Sequence, residues 1–527
     1  MKKILTYILI GTLALGASSC KKLDINDNPN SPTTSTPGLV LPQAIVGSAA
    51  IANNYNITFA YPGGFFANVY GYGAYGATVT LNYSTGFGAG LWSSSYDNAT
   101  DYQYVIDNTS ANASLTYSTS IARIMKSFLF AKLVDQYNDV PYSDALKGAG
   151  SLNPKYDTGS AIYQDLVAQL NTSIAAITAG QASVNTTDIL AAADPMFGGK
   201  MDLWKKFANT LKLKLLVKMA GVPALSSFTT TEFAAFDNSI GVLNEDALVN
   251  PGYLKQAGRV SPTYLSLAAN ESNARSQPSA IPSTWIYSFY NGTKLRDQGR
   301  GTVVFRDFPN GATNQLGRED LGSGIIPPTG STSWFTGTDF DTPGLGVAKG
   351  PSQASVIMLL AEAKFIQAEA ITRGYISGNA VEEFDAGITS SFTYLFKNQG
   401  GAVDASKNVA TAVAKYHTDN AESFLVNLGL AINNEQRIEA IITQKYIAMN
   451  VINCDEAFAE FRRTTYPKIV NGSTNATATF ASIQSVSTSP DKLITRLPYP
   501  QEEFTLNPGN VPQNTNIFQA KIFWDLN

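Results

Sequence analysis

Helical periodicity constrains this chain more than any other feature of its sequence. In residues 121–137, for example, Ile121, Ile124 and Phe128 fall on one face of a helix. Comparable apolar spacing predicts further helices, and the whole set is 39–56, 121–137, 160–178, 201–220, 230–238, 351–373, 379–398, 420–432, 434–452 and 454–463. These helices come largely in pairs with short links. Such pairs can stack as an α-solenoid, so we expect a mostly α fold.

Two stretches of the chain lack this periodicity. Residues 55–104 are rich in aromatic side chains, glycine and small polar residues, and no Lys or Arg occurs from Leu23 to Ala122. Residues 250–350 are rich in Gly, Pro, Ser and Arg, and they contain further Trp, Tyr and Phe residues. Because so long an irregular segment in a compact protein is usually functional, we expect these stretches to contribute to a ligand-binding surface.

Aromatic residues in these two stretches suggest the kind of ligand. Rigid rings beside amides and hydroxyls suit a neutral, hydroxyl-rich molecule, because sugar faces stack on rings while the sugar rim forms hydrogen bonds. The competing interpretation is that most of the rings belong to the core or contact a partner protein. The candidate ligand-binding residues chosen on this basis are Trp92, Tyr96, Trp285, Tyr287 and Trp334.

The sequence offers little for catalysis. His417 is the only histidine, so Ser-His-Asp catalysis, Cys-His catalysis and histidine-rich zinc sites would all depend on it. It lies in a polar stretch that resembles a turn, and we expect it at the surface. Cys454 is predicted to be a small buried side chain. We predict no catalytic residue, cofactor or metal site, although the sequence leaves open whether a calcium ion braces the loops. The formal net charge of −4 offers no basic surface for nucleic acid.

The first residues are typical of a bacterial export signal. A cationic start precedes an apolar run at 4–15 that is too short to cross a bilayer stably, and small residues follow it. The run Leu-Gly-Ala-Ser-Ser-Cys looks like a lipobox that is cleaved before Cys20, whose thiol would then carry a lipid. We therefore predict a signal peptide at 1–19, a lipidated N terminus and flexible tether at 20–38, and one binding domain at 39–527.

Several longer segments carry a family resemblance. They are LVDQYNDVPYSDALK (133–147), ADPMFGGKMDLWKKFANTLKLK (193–214), MLLAEAK (358–364), QKYIA (444–448), EAFAEFRRTTYP (456–467) and RLPYPQEEFTLN (496–507). In this order they are similar to the SusD/RagB family of surface-exposed nutrient-binding lipoproteins from Bacteroidetes, and in particular to its SusD-like branch. The segments span most of the chain, so the resemblance does not depend on any single motif.

The resemblance implies both a fold and a cellular location. It implies a mostly helical SusD-like fold, with tetratricopeptide-type helix pairs as an α-solenoid scaffold and long irregular loops forming the ligand face. It implies a lipid-anchored protein on the outer membrane that faces the cell exterior and covers a SusC-like TonB-dependent transporter. The expected ligand is a glycan or oligosaccharide, which is bound without catalysis and passed to that transporter.

The shared motifs also have structural interpretations. Residues 139–142 (Asp-Val-Pro-Tyr) are predicted to form a turn that ends a helix, with Pro141 stopping the helix and Asp139 accepting hydrogen bonds from backbone amides. Arg462 and Arg463 are predicted to form internal ion pairs with the acidic residues Glu456 and Glu460.

Two alternative functions remain open at this stage. In the first, the ligand is a peptide or an acidic molecule, and arginines between positions 259 and 318 bind its carboxylates. In the second, the protein is a lipid-anchored hydrolase. The second is disfavoured because the chain lacks a G-x-S-x-G element, and because adjacent Glu502 and Glu503 are unsuited to glycosidase chemistry, which needs two carboxylates on either side of the bond.

Overall fold

A computed structural model describes residues 35–71, 74–321, 333–335, 340 and 342–527. Cys20, the predicted signal peptide and most of the predicted tether lie outside the described residues. The α-helices of the described part are α1 (Pro37–Thr58), α2 (Ala77–Thr80), α3 (Ala89–Thr109), α4 (Thr116–Tyr137), α5 (Gly159–Gln181), α6 (Met201–Met219), α7 (Ser226–Ala234), α8 (Pro262–Leu267), α9 (Thr284–Tyr287), α10 (Gln298–Val304), α11 (Leu360–Thr372), α12 (Ala380–Phe396), α13 (Val409–Asp419), α14 (Asn434–Ala448), α15 (Cys454–Thr464) and α16 (Gln501–Leu506). The predicted mostly α fold is confirmed.

Short strands form three antiparallel pairs in the described part of the chain. The strands are β1 (Phe66–Asn68), β2 (Val140–Pro141), β3 (Tyr156–Asp157), β4 (Ala247–Val249), β5 (Ala280–Pro282) and β6 (Ser355–Met358). β1 pairs with β5, β2 with β3, and β4 with β6. The β1–β5 pair, in which Asn68 lies opposite Ala280, joins the two irregular stretches of the sequence.

The long helices pack side by side in chain order. α1 packs on α3, α3 on α4, α4 on α5, and α5 on α6. Because α4 has neighbours on several sides, nearly all of its residues from Tyr117 to Tyr137 are buried. Further along the chain α11 packs on α12, and α14 packs on α15. The predicted helix pairs are therefore confirmed.

Short polar side chains set the starts of several helices. Thr158 accepts a hydrogen bond from the amide of Ala161 at the start of α5, and Asn408 accepts one from Thr411 at the start of α13. Such side chains satisfy backbone amides that have no partner within the helix. They place the starts of helices at the edges of the loops.

Three helix predictions are wrong in part. The helix predicted at 230–238 lies earlier in the chain, in α7 (Ser226–Ala234). Residues 355–358 form strand β6, so the predicted helix at 351–373 begins only at Leu360. Residues 420–432 form a turn-rich segment, and the helix lies just before it, in α13. There Asn420 ends α13 by donating to the carbonyl of Tyr416 at 2.8 Å and to that of Arg296 at 2.9 Å. The apolar run at 424–426 misled the prediction because it packs against the core without being helical.

The periodicity of α3 was hidden by polar residues in its buried face. Ser95 and Asn98 are both buried there, at spacings that apolar residues usually occupy. Asn98 accepts a hydrogen bond from Ser48 of α1 at 2.7 Å, and Ser95 lies 3.2 Å from the hydroxyl of Tyr55. Buried polar groups are stable only when they are hydrogen-bonded, so these side chains of α3 need their partners on α1. The sequence of either helix alone therefore does not show that these polar residues are buried.

A network of buried charges joins the helices at the centre of the fold. The ammonium groups of Lys214 and Lys218 lie 2.6 and 3.0 Å from Glu456, and Lys445 lies 3.4 Å from the same carboxylate. Lys218 also pairs with Asp135 at 2.7 Å. These residues belong to α4, α6, α14 and α15, so the network fixes how those helices meet.

Candidate ligand-binding face

The two irregular stretches of the sequence meet on one surface. We call this surface the loop face and define it as residues 61–71, 74–88, 306–321 and 479–486. Asn68 holds it together, because its side-chain amide donates to the carbonyl of Arg318 at 3.0 Å and its side-chain oxygen accepts from the amide of Gly317 at 2.8 Å. The side-chain amide of Gln484 donates to the carbonyl of Gly317 at 2.5 Å and thereby joins residues 479–486 to residues 306–321.

Half-buried aromatic rings are present on the loop face. Tyr61, Tyr70, Tyr75 and Phe87 each keep part of their surface exposed while packing against the core. Tyr75 is held by a 3.0 Å hydrogen bond from its hydroxyl to the carbonyl of Val69. Rings that are fixed and partly exposed can stack on a ligand at little cost in conformational entropy.

The tyrosines of this face are suited to neutral hydrogen bonding. A tyrosine hydroxyl with the ordinary pKa of 10.0 is protonated at neutral pH, and burial raises the pKa of Tyr61 further, with a smaller contribution from nearby Tyr75. Tyr83 and Phe87 stack in parallel with their centroids 3.6 Å apart. The loop face therefore offers aromatic surface and uncharged hydroxyl groups, which suit a polyhydroxylated molecule.

The arginines between 259 and 318 do not form one anion-binding cluster. Arg300 is fully buried and pairs with Asp297 at 2.5 Å. Arg318 is about half exposed and pairs with Asp320 at 3.0 Å, while Arg259 donates to a backbone carbonyl. These arginines already have partners within the protein, so this arrangement does not favour the carboxylate-binding alternative.

Trp92 is buried, and the neighbouring Tyr96 is half-buried. Trp92 is 6% exposed, and its ring centroid lies 5.0 Å from that of Tyr137 and 5.1 Å from that of Tyr96. Tyr96 is half-buried, and its hydroxyl donates to the carbonyl of Pro141 at 2.6 Å. Trp92 therefore supports the core around α3 and α4 and has little surface available for a ligand, whereas Tyr96 keeps part of its surface exposed.

Trp285, Tyr287 and Trp334 are also buried. The indole nitrogen of Trp285 donates to the hydroxyl of Tyr446 at 3.2 Å. The hydroxyl of Tyr287 accepts from the amide of Gly311 at 3.1 Å. Trp334 is 6% exposed. The five candidate residues thus do not form one exposed aromatic surface, and their role in ligand binding stays a prediction.

The half-buried rings of the loop face lie in the aromatic stretch at 55–104. The candidates predicted from the sequence in that stretch were instead Trp92 and Tyr96. Trp92 and Tyr96 are four residues apart on α3, a spacing typical of a buried helix face. The tyrosines at 61, 70 and 75 lie among glycines, including Gly64 and Gly71, both of which have positive φ. Glycine-rich turns run along surfaces, and that signal identifies the exposed rings better than the preference for tryptophan did.

The shared sequence motifs have structural roles. Helix α4 ends at Tyr137, because Asn138 adopts a positive φ of 64°, and Asp139 then accepts from the amide of Gly159 at 2.9 Å. The role of Asp139 as an acceptor for a backbone amide is confirmed. The predicted turn at 139–142 is wrong, because Val140–Pro141 form strand β2, which pairs with β3, and the helix ends before Pro141 is reached. Glu503 accepts a hydrogen bond from Tyr156 at 2.7 Å.

The predicted ion pairing of the two adjacent arginines is confirmed for one of them. Arg463 pairs with Glu460, and it also pairs with Glu369 of α11 at 2.7 Å. Arg462 instead donates to backbone carbonyls, including that of Thr495 at 2.7 Å.

His417 and Cys454 complete the inventory of potential catalytic groups. Cys454 is buried, as predicted. The expectation for His417 was wrong in its local structure, because the residue lies in the last turn of α13 and is half-buried. Its Nδ1 is 2.9 Å from the side-chain oxygen of Asn427, and its Nε2 is 3.9 Å from Asp385.

Within the described residues, no group of three or more His, Cys, Asp or Glu side chains is arranged to hold a metal ion. A search of the same residues finds no helix with the length and apolar character needed to span a membrane.

The described fold is that of a mostly helical protein whose long helices pack in pairs. The chain belongs to the SusD-like family that is described as starch-binding and associated with the outer membrane, since the family model matches residues 29–500. The family resemblance found in the sequence is therefore confirmed. No sequence among the curated proteins matches this chain.

Solved structures share the fold over almost the whole chain. A SusD homologue from Bacteroides uniformis has 21% sequence identity and a TM-score of 0.67, with 93% of this chain and 99% of that chain covered. One from Bacteroides fragilis has 21% identity and a TM-score of 0.66, with 93% and 100% covered. A chitin-binding SusD homologue from Flavobacterium johnsoniae has 19% identity and a TM-score of 0.67, with 92% and 99% covered.

Proposed function

We propose that this protein captures a glycan or oligosaccharide at the cell surface and passes it to a SusC-like TonB-dependent transporter in the outer membrane. The observation that carries the proposal is the match to a starch-binding family over residues 29–500. Solved neighbours described as chitin-binding agree with a carbohydrate ligand. The protein acts by binding, without making or breaking bonds in the ligand.

The loop face is the proposed glycan site. Its half-buried rings supply stacking surface, and the amide and hydroxyl groups around them can pair with sugar hydroxyls. Trp92, Tyr96, Trp285, Tyr287 and Trp334 remain proposed ligand-binding residues.

The predicted lipid on Cys20 gives the proposal its location. A lipidated N terminus would hold the domain from residue 39 onward at the outer membrane, facing the exterior. The tether at 20–38 would raise the local concentration of the binding domain at the transporter.

Isothermal titration with starch and chitin oligosaccharides tests the binding proposal. Tyr70→Ala and Phe87→Ala remove half-buried rings of the loop face, while Phe228→Ala removes a half-buried ring of α7 and serves as the matched control. By analogy with bases stacked on aromatic side chains, each loop-face ring is worth about 1–3 kcal/mol of affinity.

We expect both loop-face variants to weaken binding and the control to leave it unchanged. Absence of binding to every glycan would contradict the carbohydrate ligand. Binding that survives both loop-face changes but is lost in Trp92→Ala or Trp285→Ala would move the site to the residues chosen from the sequence. Titration with peptides tests the remaining alternative, in which the ligand is a peptide or an acidic molecule.

A further inference from the structure

The face of Trp285 is covered by a lysine that follows it closely in the chain. The ammonium of Lys294 lies 3.1 Å from the centroid of the Trp285 ring and 4.4 Å from that of Phe289. Trp285 is only 1% exposed, whereas Lys294 is half-buried and keeps part of its surface in solvent. The lysine side chain therefore lies between solvent and a tryptophan directly beneath it.

The ammonium of Lys294 is held weakly in this position. Among the described residues the two rings are its only partners, and it has neither an ion pair nor a hydrogen bond. Burial lowers the pKa of Lys294 to about 7, and no nearby charge offsets this effect. The charged form therefore loses more from desolvation than it gains from the rings, which makes the side chain easy to displace into water.

Other buried lysines that lie over rings have further contacts. Lys132 lies over the ring of Tyr55 at 5.3 Å and pairs with Asp455 at 2.6 Å. Lys349 also lies over a ring, and its ammonium donates to three backbone carbonyls at 2.7–2.9 Å. Such contacts fix a side chain in place. Lys294 lacks them in the described part of the chain, so its position over the ring is not explained by an ion pair.

The backbone around Lys294 is fixed, so displacement involves the side chain alone. The amide of Lys294 donates to the carbonyl of Ser288 at 2.8 Å. Two residues further on, the amide of Arg296 donates to the side-chain oxygen of Asn420 at 2.9 Å. Because the lysine stem has four rotatable bonds, its ammonium can reach water while these hydrogen bonds stay intact.

The ring beneath the lysine is a preorganised surface. The indole nitrogen of Trp285 donates to the hydroxyl of Tyr446 at 3.2 Å, and the ring packs edge-on against Phe289 with the centroids 5.4 Å apart. Phe480 of the loop face lies against the same ring at 5.5 Å between centroids. An indole that is already fixed can stack on the C–H face of a sugar at little cost in conformational entropy.

We propose that Lys294 is a displaceable cover on Trp285, and that a sugar ring of a neutral glycan takes its place on the indole. This inference rests on the proposed function, since it adds a stacking position to the glycan site. Displacement returns the ammonium to water and gives the glycan an apolar surface. Without glycan, the cover shields a large apolar ring that would otherwise be exposed to unrelated partners.

The protonation of Lys294 reports its displacement directly. In protein labelled with ¹³C at lysine Cε, the Lys294 signal is assigned by its loss in Lys294→Arg. We expect this signal to titrate with a pKa of about 7 in the free protein. With a saturating starch or chitin hexasaccharide its pKa should rise towards the ordinary value of 10.5, because a displaced ammonium is hydrated.

Affinity measurements provide the second test. Lys294→Ala removes the cover and should tighten binding of the hexasaccharide about 2- to 30-fold, which corresponds to a cation–π contact of about 0.5–2 kcal/mol. Lys407→Ala is the matched control, because it removes another half-buried lysine whose ammonium lies 5.4 Å from a ring centroid, and it should change nothing. Adding Trp285→Leu to Lys294→Ala should cancel the gain, with the melting temperature reporting that the fold is kept.

The outcomes separate this proposal from the proposed function. Hexasaccharide binding that leaves the pKa of Lys294 at about 7 would overturn the cover while glycan binding stands, and so would an affinity that Lys294→Ala leaves unchanged or weakens. Binding by Lys294→Ala but not by the wild-type protein would support the cover. Absence of binding to both proteins would overturn both proposals.

Discussion

Glu456→Gln tests whether the buried charge network stabilises the fold. Glu456 faces three ammonium groups, at 2.6 Å (Lys214), 3.0 Å (Lys218) and 3.4 Å (Lys445). Its side chain is only 4% exposed. The substitution keeps the size of the side chain and removes its charge, which leaves buried cations with too few anions. Removing one partner of a buried ion pair costs about 3–5 kcal/mol.

Urea unfolding at neutral pH measures this loss directly. For a chain of this length the entropy of unfolding is roughly 1 kcal/mol/K, so the melting temperature should also fall by about 3–5 °C. Glu422→Gln is the matched control, since it makes the same chemical change at an exposed position and should shift stability by less than about 0.5 kcal/mol.

Acidification provides a second test of the same carboxylate. Burial by itself raises the pKa of Glu456, but the charges of Lys214, Lys218 and Lys445 outweigh that effect and hold the pKa well below its ordinary value of 4.5. A depressed pKa means that the folded state binds this proton less readily than the unfolded state. The contribution of Glu456 is therefore complete above about pH 4.5 and is lost as the pH falls through the lower folded pKa.

The stability difference between the wild-type protein and Glu456→Gln should accordingly be constant near neutral pH and narrow in acid. A difference below about 1 kcal/mol at pH 7 would refute the view that this carboxylate is needed to balance the buried lysines. A gap that persists unchanged in strong acid would show that the effect comes from altered packing instead of charge.

Three further predictions concern other parts of the molecule. Gly317→Ala should lower the free energy of unfolding in urea by about 1–3 kcal/mol, because φ is +84° and an added Cβ would lie 2.4 Å from the hydroxyl of Ser482 on the loop face. Gly258→Ala is the control, with φ of +71° and no atom within 4 Å of the added Cβ, and it should cost less. Equal costs for the two variants would contradict a steric role for Gly317. Lys349→Met should destabilise the protein by about 1–3 kcal/mol, since the buried ammonium donates to three backbone carbonyls at 2.7–2.9 Å, and a stability loss near zero in the same assay would show that the carbonyls find other partners. Cys20→Ala should leave folding and glycan affinity unchanged but impair glycan uptake by cells, and normal uptake would show that the anchor is dispensable.

Much of the helical scaffold could be predicted from the sequence, because helical periodicity is a local property. The faces of α4 and α5 are marked by apolar residues three and four positions apart, and their bounds were predicted to within a few residues. Helix α3 was missed because its buried face contains Ser95 and Asn98, whose partners are on α1. A pattern of apolar residues does not reveal positions where polar groups are buried in pairs.

The candidate site was predictable as a pair of regions, but not residue by residue. Composition identified both irregular stretches, and the pairing of β1 with β5 brings them together. Whether a ring is exposed depends on what packs against it from elsewhere in the chain. The ring centroid of Trp92 lies 6.0 Å from that of Tyr499, a residue distant in sequence, and contacts of this kind bury Trp92.

The sequence by itself determined the family, the helical class and the scarcity of catalytic groups, because these follow from motifs, from local periodicity and from residue counts. The tertiary structure decided which aromatic rings face solvent, which charges are buried, and which indole a lysine side chain covers. Burial is a sum over contacts from distant parts of the chain, so no single stretch of sequence contains it.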